Sequence, residues 1–108
     1  MVIFDGNKYE GPVPVTGEDV PNGPGVYLIC TDSAGGIKIL GVYESDDMRM
    51  SIANNPKSKC WKENCDNGLS AYYLMMDAPQ TKREDLCRRT IENRWYRVVC
   101  NDPPMDDF

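Results

Sequence analysis

The chain has 108 residues, 41% of them hydrophobic, and a formal charge of −5 from 17 acids against 12 lysines and arginines. That length and composition predict one folded α+β domain, residues 1–108, and exclude a disordered chain. The acidic balance argues against tight, non-specific nucleic-acid binding, and the absence of histidine excludes Ser-His-Asp, Cys-His and HExxH chemistry. Residues 1–24 read as an edge hairpin followed by a loop. Val2 to Tyr9 folds about Asp5-Gly6-Asn7, and the Gly- and Pro-rich stretch from residue 10 to 25 wraps the domain edge. Val26-Tyr27-Leu28-Ile29 and Ile37 to Tyr43, separated by Ser33-Ala34-Gly35-Gly36, predict an antiparallel hairpin. It is apolar on both faces and therefore covered on both. Ser45-Asp46-Asp47 reads as a helix start, with Ser45 as cap, Met48 and Ile52 turned inward, and Asn54-Asn55-Pro56 as the stop. Leu69 to Met76 is a third strand, with Tyr72 and Tyr73 on opposite faces. Thr81-x-x-Glu84 is a capping box opening a long helix over 82–96, with Leu86, Cys87, Ile91 and Trp95 at helical spacing. Residues 102–108 read as a loose tail.

No stretch approaches the ~18 apolar residues of a membrane span, and the amino-terminal segment lacks a signal peptide's basic and apolar regions. The expectation is a cytoplasmic chain with no membrane partner. The five cysteines, at 30, 60, 65, 87 and 100, are then expected as reduced thiols. Cys60-x4-Cys65 is longer than the usual zinc spacing. Buried structural thiols are the favoured reading over a small zinc-stabilised interaction module.

Pro24-Gly25-Val26-Tyr27-Leu28-Ile29, the return strand Lys38 to Ser45 and the following Asp46-Asp47-Met48-Arg49 together resemble the GIY-YIG nuclease superfamily. The resemblance covers residues 25–101 as the core. It implies a small antiparallel sheet, a central hairpin plus a third strand, flanked by helices. It also implies catalytic roles for Tyr27, Tyr43 and Arg49, a metal-holding Glu92, and Asn101 as the closing residue. The chemistry implied is phosphodiester hydrolysis of DNA with Mg2+ or Mn2+ as the divalent metal.

The second motif departs from the family. Gly41 stands where the family has tyrosine, and Tyr43 where it has glycine. If Asp32 pairs with Ile37, Tyr27 lies opposite Val42 and Tyr43 points to the other face; a one-residue bulge reverses that. Another register of the long helix places Arg89 at the metal position, where it repels a cation.

Simpler roles stand beside these. Tyr27 is by type a packing residue and Arg49 a solvated charge beside Asp46. Glu92 fits a helical ion pair with Arg88 or Arg89, and Arg88, Arg89, Arg94 and Arg97 fit one solvated face. The favoured expectation is a nuclease-like domain with weakened or lost catalysis and a binding or unknown role; the alternatives are an active endonuclease and a small zinc-stabilised interaction module.

Overall fold

A computed structural model of the chain describes residues 2–93 and 98–101. Eight elements follow in order: β1 (Val2–Phe4), β2 (Asn7–Val13), β3 (Gly25–Ser33), β4 (Gly36–Ser45), α1 (Met48–Ala53), α2 (Ser58–Glu63), β5 (Leu69–Met75) and α3 (Gln80–Glu92). The strands form a single antiparallel sheet in the order β1-β2-β5-β3-β4, and the fold is α+β. No described helix is long and apolar enough to cross a membrane.

The sheet is covered on both faces, as the apolar hairpin requires. From Gly25 to Thr31 every residue of β3 is buried. Its side chains alternate between two clusters. Val26, Leu28 and Cys30 pack with Tyr9, Tyr72 and, from α3, Leu86 and Cys87. Tyr27 and Ile29 pack with Met48 and Ile52 of α1 and Trp61 of α2. The helices are thus divided: α1 and α2 on one face, α3 on the other. Removing each large β3 side chain from water contributes roughly 1.5–3 kcal/mol.

Several local expectations need correction. The Gly/Pro-rich segment is not all loop, because β2 continues through Gly11-Pro12 to Val13 and pairs with β5. The register shifts between Glu10 and Val13. Gly11 has φ +134°, and a Cβ there would lie 2.7 Å from the Ala71 carbonyl. Gly and Pro signal turns in sequence, but here they make a strand irregularity instead.

The cap of α1 is Asp47, whose side chain accepts from the Met50 amide. Ser45 lies one step outside, bridging the Asp47 amide and carbonyl through its hydroxyl. The Thr81 capping box does not form: α3 begins at Gln80 after Pro79, with no side-chain cap. Pro79 stands at the cap position, where it has no side-chain oxygen to offer, and its carbonyl accepts from the Lys82 and Arg83 amides. The helix α2 carries no sequence signal of its own; Trp61 is its one buried residue.

The expectation of five reduced thiols also gives way. Cys60 and Cys100 form a disulfide, while Cys30, Cys65 and Cys87 are free. The fold brings the two sulfurs together across 40 residues of sequence, a proximity that spacing alone does not reveal. Trp95 and Tyr96, expected in the long helix, with Arg94, Arg97 and the tail at 102–108, lie outside the described residues.

Candidate functional site

The hairpin register decides where the two tyrosines go. Asp32 pairs with Ile37 as expected, but the ladder shifts between Ile29↔Gly41 and Cys30↔Ile39, leaving Leu40 as the extra residue. This bulge brings Tyr43 opposite Tyr27 and onto the same face. Their ring centroids are 5.4 Å apart, and Trp61 continues the array at 5.8 Å from Tyr43. The placement of Tyr43 on the far face, derived from an unbroken ladder, is corrected by this one residue.

The bulge also accounts for the glycine at position 41. The Tyr43 ring folds back over Gly41, so that a Cβ on Gly41 would lie 2.3 Å from the Tyr43 hydroxyl. A side chain at 41 and the phenol of Tyr43 occupy the same space. Gly25 is fixed in the same way: a Cβ there would lie 2.3 Å from the Leu74 carbonyl of the neighbouring strand. Close backbone approach accounts for that motif glycine without reference to catalysis.

Both phenols are engaged. Tyr27 is fully buried. Its oxygen accepts from Asn55 Nδ2 at 2.8 Å and shares a hydrogen bond with Ser51 Oγ at 2.7 Å. Burial pushes its pKa above the ordinary tyrosine value, outweighing the opposing effect of the two hydrogen bonds. Burial thus favours the neutral phenol over the phenolate at Tyr27. Tyr43 accepts from Trp61 Nε1 at 2.9 Å and donates to the Cys100 carbonyl at 2.9 Å.

The other predicted residues do not gather here. Arg49 is exposed on α1 and makes no ion pair among the described residues. Glu92 ends α3, which packs on the opposite face of the sheet from Tyr27. Arg88 and Arg89 pair with Asp85, not with Glu92. Asn101 lies at the sheet edge, where its amide accepts from the Val42 N–H at 2.8 Å and donates to the Val42 carbonyl at 2.7 Å. It caps a strand.

No group of three or more acidic or cysteine side chains suited to a metal forms among the described residues. Cys60, bonded to Cys100, is withdrawn from the Cys60-x4-Cys65 pair. An exposed Glu92 across the sheet from the tyrosines does not make a Mg2+ or Mn2+ site with them.

Sequence reasoning missed the one buried arginine among the described residues. Arg83, on α3, is buried. It donates through Nε to Glu44 at 2.9 Å, through Nη1 to the Ala78 carbonyl at 2.7 Å, and through Nη2 to Asp46. This network joins α3 to the end of β4. Nothing in the local sequence separates Arg83 from Lys82, Arg88 or Arg89; only the packing of α3 selects it. Comparison with known protein families, characterised proteins and solved structures yields no significant match to this chain.

Proposed function

We propose that the chain is a GIY-YIG nuclease-like domain that has lost phosphodiester hydrolysis and serves a binding role. The supporting sequence signal is the order Gly25-Val26-Tyr27, Tyr43 and Arg49 along a hairpin and the helix after it. The observation that carries the loss of catalysis is the enclosure of Tyr27. A general base must reach its water directly or through one intervening water, and this hydroxyl is buried, engaged by Ser51 and Asn55, and shifted by burial toward its neutral form. The position of Glu92, at the end of the helix that covers the opposite face, argues the same way, as does the lack, among the described residues, of any group of three metal-ligating side chains. DNA is the partner that the resemblance suggests, and a chain of net charge −5 would approach it slowly and with strong salt dependence.

The test is incubation of the purified chain with plasmid and branched DNA in Mg2+ or Mn2+, beside Tyr27→Phe, Arg49→Ala and Glu92→Gln. The expected result is no magnesium-dependent cleavage. Robust cleavage abolished by all three substitutions would overturn the proposal and establish an endonuclease. Residual cleavage unchanged by all three marks a contaminant and leaves the proposal standing.

A further inference from the structure

An edge strand presents a row of backbone groups that need partners. At the middle of β4 those partners come from residues 98–101. The Asn101 side chain takes both the amide and the carbonyl of Val42, and the Cys100 amide donates to the Leu40 carbonyl at 2.9 Å. The segment straddles the edge, with Val98 packed in the cluster on the α3 face and Cys100 in the cluster on the α1 and α2 face. A disulfide to Cys60 of α2 fastens it.

We propose that the Cys60–Cys100 disulfide is a redox latch: a dithiol reductant opens it, and residues 98–101 then come away from the edge of β4. The two sulfurs differ in access. Cys60 is partly exposed and Cys100 is 1% exposed, so the incoming thiolate attacks Cys60 Sγ. The S–S bond breaks and Cys100 leaves as a thiolate, which takes a proton from water. The second thiol of the reductant attacks its own sulfur in the mixed disulfide and releases Cys60. The reductant departs as a cyclic disulfide, oxidised by two electrons, and the cystine is reduced by two.

Asn64 equips the site for this exchange. Its Nδ2 lies 3.5 Å from Cys60 Sγ and 3.9 Å from Cys100 Sγ, where it can donate to a developing thiolate. Opening does not dismantle the sheet, because β4 is held to β3 by pairs running from Gly25↔Ser45 to Ser33↔Gly36. It removes the acceptor of the Tyr43 hydroxyl, the Cys100 carbonyl, and so changes the surroundings of Trp61, which donates to the same oxygen of Tyr43. The inference does not depend on the nuclease-like reading.

The experiment is hydrogen exchange read by mass spectrometry on the full chain, before and after dithiothreitol, with thiols counted in parallel. The titratable thiols in denaturant should rise from three to five. On reduction, and in Cys60→Ser without reductant, the Val42 amide should exchange about tenfold faster or more, while the amides of β3 keep their protection. Reoxidation should restore slow exchange in the unsubstituted chain. Unchanged Val42 exchange in a chain shown to carry five thiols overturns the proposal, since the edge then holds without the bond. Loss of β3 protection together with Val42 also overturns it, because the disulfide is then a brace for the whole fold. Five thiols in the chain even after treatment with an oxidant overturn it as well.

Discussion

At Gly41 a single missing side chain decides how the aromatic array is built. The three atoms nearest to a methyl group placed there would all belong to Tyr43, whose hydroxyl is held by Trp61 and Cys100. Gly41→Ala should therefore destabilise the fold by about 1–3 kcal/mol in urea melts. In a Tyr43→Leu background the same substitution should cost much less, and an equal cost in both backgrounds would exclude the clash. Cys87 gives a second residue-scale expectation. Burial first, and then the negative charges of Glu44 and Glu84, push its thiol from 9.0 up to about 12. The unfolded chain loses this proton above about pH 9 while the folded chain keeps it. Stability is thus fully present below pH 9 and falls as pH rises toward about 12, by up to ~1.4 kcal/mol per pH unit for this group. Tyr27, raised in the same direction, adds to the loss at the alkaline end. Denaturation profiles between pH 8 and about 11 should show Cys87→Ala less stable at neutral pH but with a shallower alkaline decline.

Among the elements, the two helix starts separate what a motif promises from what a fold uses. Asp47→Ala removes the side chain that caps α1 and should cost about 1 kcal/mol. Thr81→Ala, despite its capping-box spacing, should be nearly neutral, because Pro79 opens α3 and Thr81 is exposed. Leu86→Ala, at the buried face of α3, should cost about 2–5 kcal/mol. Urea melts of the three variants check the order. Strand existence was legible in the sequence: the runs at 25–31, 37–43 and 69–76 all appear, as does the hairpin turn at Asp5-Gly6, with φ +51° and +83°. What local signals missed was a strand passing through Gly11-Pro12 and a helix, α2, defined by Trp61 alone. Both are fixed by neighbours distant in sequence, β5 in one case and Tyr43 in the other.

Across the whole molecule, the candidate site was legible in part. Tyr27 and Tyr43 do stand side by side, through a bulge at Leu40 that an alternating pattern allows but does not locate. The separation of Glu92 from them follows from which face α3 covers, and single-strand periodicity assigns a face only relative to its neighbours. The buried Arg83 network was invisible for the same reason. The strap at 98–101 has a consequence for colloidal behaviour. The sheet ends on one side at β1, only three residues long, and on the other at a β4 whose centre is occupied by Asn101 and Cys100. Short or occupied margins leave little template for sheets to grow by stacking neighbour on neighbour. Asn101→Ala should lower stability by about 1–3 kcal/mol and make elution on size exclusion depend on protein concentration. In that sense four residues beside the aromatic array protect solubility, by denying Leu40 and Val42 to another chain.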